Sequence, residues 1–310
     1  MQNTSGNNSP SVVSFFHGVG GMSKGAERAG FKPIYAMDYW PVAEQAFHHN
    51  NCEGFFEQAN FFTINGKHIM DKVSSLSANT INLKYRDIDL VVSGSPCQGM
   101  SSVNPSRSVY DFKNMLMMKQ IRVAGMQGLG AKVAWFEQVP GFFDEPMKAL
   151  RRDVLAVLDS QTDYRYEIKV LNALDYGAYQ SRDRVTIIMV RKDVGLPGFP
   201  EAQPVYLSKC SLRSVLPHIH AFKYDKNQSA KTAHDNYINT MTASGDGLKV
   251  FDGIEWRPIN VQERLILSHL EGYDLSIFSE ADQVMLMGNM VQIPFAEAIT
   301  MYIREHILKF

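Results

Sequence analysis

The chain has little cysteine, almost no net charge and no internal repeat or low-complexity segment. Its three cysteines, Cys52, Cys97 and Cys210, are spread over 310 residues. They fit no metal-ligand spacing, so no metal site is expected. They also argue against a disulfide framework and for a reducing compartment, the cytoplasm by default. The formal charge of −1 neither selects nor excludes nucleic acid, because phosphate contacts depend on where charges lie rather than on their sum. No apolar run approaches the roughly 18 residues of a membrane span, so no membrane partner is expected. The opening MQNTSGNNSP is polar and uncharged. It lacks the basic and apolar regions of a secretory signal, and residues 1–10 read as a frayed tail. What is present is a 45% hydrophobic composition, enough for one large domain or two unequal ones. The sixteen methionines read as filler of core gaps.

Strand-like and helix-like stretches alternate along the first half. Strands are expected at 11–16, 32–38, 87–94, 132–139, 164–173 and 184–192. Helices are expected from about Ser23, over 41–50 and over 145–160. This alternation predicts an α/β fold with a parallel sheet covered on both faces. Ligands in such sheets sit beyond the carboxyl ends of the strands. DVGLPGFPEAQP, with three prolines and two glycines, reads as a linker. From there to about 285 the sequence looks irregular, apart from a helix at 260–270. An amphipathic helix over 294–310 closes the chain. The expected organisation is a large domain of 11–192 and 286–310 with a small one of 193–285.

FFHGVGGMSKG places Gly18, Gly20 and Gly21 directly after the first strand. Glycines there permit a tight turn and close approach of a ligand, with the next helix directing N–H groups at it. The second strand ends in Met37-Asp38-Tyr39, an acidic residue about 20 positions on, where nucleoside-binding sheets hold a ribose hydroxyl. Tyr39 is suited to stack on a purine. A structural turn and a helix cap at Asp38 are the plain alternatives.

Cys97, in GSPCQGMS, sits at the expected carboxyl end of the third strand. A nucleophilic cysteine needs a lowered pKa or a base beside it. Proline shapes this loop, and Gln98 and Ser101 offer hydrogen bonds. Glu137 closes the fourth strand behind Trp135-Phe136, a setting that suits an acid or, more plainly, a salt bridge. Gln180, Arg182 and Arg184 share one strand face by their spacing. The arginines suit phosphate or a polar base edge, or form an ordinary solvated edge.

Taken in order, these pieces closely resemble the cytosine-C5 DNA methyltransferases. Phe16-x-Gly18-x-Gly20-Gly21 is similar to their cofactor loop, PCQGMS to the nucleophile loop, EQV to the E-N-V motif and QSRDR to Q-x-R-x-R. NTMTASGDG and RPINVQERLILSHLEGY resemble the penultimate motif with its approach, and GNMVQIPFAEAI the closing one. The resemblance covers about 11–192 and 238–308. It implies a Rossmann-like methyltransferase fold with a mostly parallel sheet and a small, reduced target-recognition domain, S-adenosylmethionine as cofactor and double-stranded DNA as partner. It further implies a target cytosine swung out of the helix. Cys97 would add to cytosine C6, and Glu137 would bind N3 and the exocyclic amine. Arg182 would hold the base, and Arg184 would support the nucleophile loop. Asp38 would bind ribose and Tyr39 adenine. Phe16 and the glycines would pack on the methionine part, and Asn60, Leu116 and Asn289 would make further cofactor contacts. Gln98, Ser101, Gln180 and Thr240 would face DNA.

Three positions depart from the family pattern. Gln138 replaces an asparagine that anchors the cysteine loop. Asn60 replaces an aspartate that binds the adenine amino group. Gln292 stands where proline is frequent. The insert between LSKCSLRSVLP and NTMTAS is also short, HIHAFKYDKNQSAKTAHDNYI, where the family places several tens of residues. Its Lys223, Lys226, Lys231 and three histidines suit phosphate contacts, or an ordinary surface loop. The expectation is a DNA cytosine-C5 methyltransferase, either orphan or paired with a restriction endonuclease or a specificity partner. An RNA enzyme of the same family, a catalytically weak DNA-binding subunit and transfer of a group other than methyl are the alternatives.

Overall fold

A computed structural model describes residues 9–76, 86–101, 104–205, 207–225, 227–245 and 247–310. Lys226 and the expected tail up to residue 8 lie outside these. Seven strands form the main sheet: β1 (Ser11–Phe15), β2 (Lys32–Asp38), β3 (Phe55–Gln58), β4 (Leu90–Ser93), β5 (Val133–Gln138), β6 (Tyr164–Asn172) and, after the two-residue β7 (Gln180–Ser181), β8 (Asp183–Arg191). Their order is β3-β2-β1-β4-β5-β8-β6. β1 to β5 pair parallel, and β8 runs antiparallel to both β5 and β6. The expected sheet is therefore mostly parallel, with one reversed strand. The short link from β6 to β8 explains the reversal, because a parallel return needs a crossover of a dozen or more residues.

Helices cover both faces, which is why β1, β4 and β8 read as continuous apolar runs rather than alternating ones. The helices are α1 (Gly21–Arg28), α2 (Pro41–His49), α3 (Gly66–Leu76), α4 (Met115–Ala124), α5 (Lys148–Asp159), the single turns α6 (Leu207–Cys210) and α7 (Leu212–Val215), then α8 (Val261–Leu267), α9 (Glu280–Asn289) and α10 (Ile293–Tyr302). On one face, Ile69, Val73, Met117, Ile121, Leu150 and Val154 of α3, α4 and α5 pack on Val13, Phe15, Val91 and Phe136. On the other, Ala26 of α1 and Phe295 and Ile299 of α10 pack on Val12, Val92, Trp135 and Ile188. β3, α3 and α4 lay outside the strands and helices expected from sequence.

The segment expected to be irregular holds a second sheet. β9 (Ala221–Tyr224), β10 (Asn227–Thr232), β12 (Leu248–Phe251) and β13 (Trp256–Pro258) pair antiparallel in the order β10-β9-β12-β13, and β11 (Ile238–Asn239) pairs with β7. Its core is Leu212, Leu216, Phe222, Leu248, Val250 and Ile259. The short insert is thus a hairpin, not a loop. Its histidines are engaged: His218 with Glu263 at 2.7 Å, His220 with Arg213 at 3.0 Å and His234 with Asp235 at 2.7 Å. Lys223 lies 4.5 Å over the Trp256 ring. Leu265, Leu270, Leu275 and Phe278 return to the large unit, packing with Val19 and Ala46.

The helical stretch Glu280–Leu308 is long and apolar enough to cross a membrane by length and composition, contrary to the expectation of no such run. Its apolar residues Phe295, Ile299, Ile303 and Ile307 are spent against α1 and the sheet.

Candidate active site

The carboxyl ends of β1, β2, β4 and β5 form one rim. At β1 the chain turns sharply. Phe16 has φ 53, a left-handed conformation for a residue with a side chain, and Gly18 and Gly20 follow at φ 57 and 91. Such strain, about 1–3 kcal/mol at Phe16, persists where surrounding structure enforces it. Asp38, the last residue of β2, does part of that work. Its Oδ2 accepts the Gly18 N–H at 2.8 Å and its Oδ1 the Trp40 N–H at 3.0 Å. Burial pushes the Asp38 pKa up, and the N–H groups of Trp40, Gly18 and Tyr39 oppose it. A carboxylate has about four acceptor sites, so acceptor capacity remains.

A side chain added at Gly18 would meet nothing within 4 Å, whereas one at Gly20 would strike the His17 ring at 2.7 Å. Open space thus lies before Gly18, with protein packed behind Gly20. Gly21 begins α1, and an added Cβ there would lie 2.0 Å from the Val291 carbonyl. Tyr39 is 70% exposed, and Asn289 is exposed at the end of α9. Asn60 follows β3, where its Oδ1 accepts the Phe62 N–H at 3.0 Å. Leu116 is buried in the core. The ring of Phe16 packs on Phe61 at 4.8 Å. A nucleoside cofactor fits this set: open space at a glycine turn, a carboxylate with capacity left and an uncovered tyrosine ring.

Cys97 sits three residues beyond Gly94, at the end of β4, in a tight turn. Its carbonyl accepts the N–H groups of Met100 at 2.9 Å and Ser101 at 2.8 Å. The thiol is half-buried. Burial, then the charge of Glu137, pushes its pKa up, and Arg184 and Arg182 oppose this. Glu137 lies one strand over, against Gly94, where an added Cβ would be 3.1 Å from its Oε2. Arg184 Nε approaches Glu137 Oε1 at 2.5 Å, with both side chains about nine-tenths buried. That nitrogen makes no aligned hydrogen bond, so the contact is a charge pair. Arg182 is buried and donates to the carbonyls of Met241 and Gly288, both at 2.9 Å. Burial, and then Arg184, pushes its pKa down.

Gln138, the departure from asparagine, is 1% exposed. Its Nε2 donates to the Ser95 carbonyl at 3.2 Å and Oγ at 3.3 Å, and its Oε1 accepts the Val139 N–H at 2.9 Å. The longer side chain therefore still holds the loop that carries Cys97, through Ser95, which sequence reasoning did not single out. The other half of that loop's support is Gly141, which packs on the Met100 carbonyl, and an Arg107–Asp144 ion pair.

Of the residues expected to face DNA, Gln98 is exposed beside the nucleophile and Ser101 is half-buried. Gln180 is fully buried, and its Oε1 accepts the Met241 N–H at 3.0 Å. Thr240 donates its hydroxyl to the Ser181 carbonyl at 2.9 Å. These two fasten β11 and its neighbours to β7. Gln180, Arg182 and Arg184 are thus buried rather than a solvated edge. Among the described residues, no group of three or more His, Cys, Asp or Glu is placed to hold a metal.

Comparison with known proteins bears on the fold and the descent of the chain. Residues 11–257 match the model of the C-5 cytosine-specific DNA methylases. The type II methyltransferase M.XorII of Xanthomonas oryzae is 32% identical over 199 residues, 62% of this chain and 43% of that protein. M.HhaI of Haemophilus parahaemolyticus is 26% identical over 208 residues, 66% of this chain and 56% of that one. The chain spans about half the length of these relatives. A solved Spodoptera frugiperda DNMT2 mutant superposes with TM-score 0.66 at 15% identity, covering 93% of this chain and 98% of its own. The Entamoeba histolytica methyltransferase EhMeth gives 0.62 at 16%, covering 94% and 97%. That likeness speaks for the fold, while the sequence match speaks for descent: the chain belongs to the C-5 cytosine-specific DNA methylase family.

Proposed function

We propose that the protein is a DNA cytosine-C5 methyltransferase that uses S-adenosylmethionine. The observation that carries this reading is the convergence of Cys97, Glu137, Arg182 and Arg184 on one rim, next to a glycine turn held by Asp38. A thiol with a raised pKa is a poor resting nucleophile, so the site suits a reaction in which the substrate completes the activation. Cytosine does this. Its ring, taken out of the stack, presents N3 and the exocyclic amine to Glu137. A proton held between Glu137 and N3 makes C6 electrophilic. As the Cys97 sulfur adds to C6 the thiol proton leaves to solvent, and Arg184 and Arg182 favour the thiolate charge that develops. The addition makes C5 nucleophilic. Loss of the C5 proton after transfer re-forms the double bond and expels the thiolate.

Asp38, Tyr39, Asn60 and the turn of Phe16, Gly18, Gly20 and Gly21 would hold the cofactor, with Leu116 and Asn289 at its margins. When bound, S-adenosylmethionine supplies an electrophilic methyl group. Gln98 and Ser101, in the turn that carries Cys97, would face the DNA. The recognition hairpin is short, and its three histidines and Lys223 already have protein partners. This predicts a short or relaxed target, or specificity supplied by a second protein such as a paired restriction endonuclease.

The test is expression in a host without cytosine methylation, with mass spectrometry of nucleosides from DNA and RNA separately. 5-Methylcytosine in DNA, absent with Cys97→Ala, is the expected result. Signal confined to RNA would move the substrate, and no modification in either pool would sink the reading.

A further inference from the structure

Two loops meet above the rim through a pair of exposed aromatic rings. Phe62 follows Asn60, and its carbonyl accepts the Lys119 ammonium at 2.5 Å. Phe112 opens the short turn that leads into α4, one helical turn before Leu116. Their rings lie 5.9 Å apart, tilted by 33°. Phe62 is 37% exposed and Phe112 64%, beside Tyr110 at 92% and Met115 at 57%. Exposed apolar side chains gathered in one patch mark a working surface more often than a scaffold.

Each ring is rigidly tied to a different half of the site. Behind Phe62, the Asn60 side chain accepts the Phe62 N–H, and neighbouring Phe61 packs on Phe15 and Phe16 at 5.0 and 4.8 Å. Behind Phe112, Asp111 caps the turn by accepting the Lys113 N–H at 2.9 Å. Asn114, 2% exposed, donates to the Ser108 and Val109 carbonyls at 2.9 and 3.2 Å. Ser108 donates its N–H to the Gly99 carbonyl at 3.1 Å. Gly99 fits so closely that an added Cβ would lie 2.4 Å from Asn114 Oδ1 and 2.8 Å from Asp111 Cβ. Asn104 adds a bond from its Nδ2 to the Gln98 carbonyl at 2.7 Å. The turn that carries Phe112 is therefore the floor on which Gln98 and Gly99, next to Cys97, rest.

We propose that Phe112, docked on Phe62, is a positioning residue that ties the nucleophile turn to the cofactor loop, so that a nucleoside held at Asp38 and Asn60 orders the turn presenting Cys97. The proposal rests on the functional reading above. A partly exposed ring pair makes a weak joint, as a coupling element must be if it is to open for substrate. Coupling of this kind is reciprocal: what cofactor does to the turn, the turn does to cofactor affinity.

The test uses the full chain with S-adenosylhomocysteine, the demethylated cofactor, and no DNA. Hydrogen exchange is followed by mass spectrometry in peptides covering 97–111, with β6 as an internal reference. In the wild type the ligand should slow exchange over 97–111 by about tenfold. In Phe112→Ala and Phe62→Ala the slowing should fall below about twofold, and ligand affinity should drop by the same factor that protection loses. Phe112→Tyr, which keeps the ring, should retain both. Phe112 is mostly exposed, so its variants should melt with the wild type, and they carry the test if Phe62→Ala melts lower. Full protection in Phe112→Ala, loss of protection in Phe112→Tyr, or no protection in the wild type would each overturn the proposal. Methyl transfer measured on the same preparations separates the two claims. Protection without transfer to cytosine fails the functional reading alone. Transfer, with protection indifferent to Phe112, fails the coupling alone.

Discussion

At the scale of single residues, Cys97 and Gln138 carry the sharpest expectations. Burial and the Glu137 carboxylate hold the Cys97 pKa above that of a free thiol, so the resting enzyme keeps it protonated near neutral pH. Alkylation of Cys97 by iodoacetamide, followed by peptide mass spectrometry at pH 8, should be slower than that of free cysteine. A faster reaction would mean the thiolate is preformed, and substrate would not be needed to complete the activation. Gln138 reaches Ser95 with bonds of 3.2 and 3.3 Å, already at the long end of the range. Gln138→Asn withdraws the amide by one methylene and should lose them. Turnover should fall about tenfold, the rate equivalent of roughly 1.4 kcal/mol, with DNA KM little changed. Turnover equal to or above the wild type would show that the loop has another anchor. Cys97, Glu137 and the arginines were legible in the sequence because their motifs come in a fixed order at strand ends. Ser95, Phe62 and Phe112 were not, since their roles depend on contacts between loops far apart in the chain. The Phe61-Phe62 doublet after Asn60, and Phe112 at i−4 from Leu116, were the only local signs.

At the scale of elements, α1 packs closely on α10, and the contact rests on absent side chains. An added Cβ at Gly25 would lie 2.4 Å from Ala296 Cβ and 2.6 Å from the Glu297 nitrogen. Gly21, one turn earlier, meets the Val291 carbonyl in the same way. The sequence marks Gly21 as part of the turn, but these distances make it the first of two contact points for α10. Gly25→Ala should force the helices apart and cost about 1–3 kcal/mol, the usual range for overpacking. Chemical denaturation would show it as a lower midpoint at unchanged slope. An unchanged midpoint would mean α10 can shift without loss. The reversed β8 belongs to the same scale. Strand periodicity carries no direction, but the short link after β6, too brief for a crossover helix, did. The small sheet escaped because its strands run three to six residues and gain their apolar face only from one another.

At the scale of the whole molecule, a buried histidine and a half-buried one make stability depend on pH. His17, inside the glycine turn, is 7% exposed, its ring 5.3 Å from Phe47 and 5.7 Å from Phe56. Burial pulls its pKa from 6.5 to about 4. His269 is stacked on Tyr179 at 3.9 Å, where the small sheet's supports meet the large unit. Burial, then the charge of Arg28, lowers its pKa to about 4 as well. In both, the folded state resists a proton that the unfolded chain accepts near pH 6.5. Above that pH neither state binds it, and the full stability is present. Between about 6.5 and 4 the unfolded state binds more protons, so stability falls as pH falls. His17 alone accounts for a loss on the order of 3 kcal/mol across that window. Melting at pH 7.5 and 5.0 should therefore show an acid loss in the wild type that His17→Asn reduces. An equal loss in the variant would place the acid sensitivity elsewhere, in the carboxylates. Because His17 lines the turn that Asp38 holds through Gly18 and stays neutral in the folded state down to about pH 4, its titration should leave the affinity of the folded protein for cofactor unchanged between pH 7.5 and 5.0. Calorimetric titration with S-adenosylhomocysteine at the two pH values checks this, and weaker binding to the folded protein at pH 5.0 would place a second titrating group at the turn.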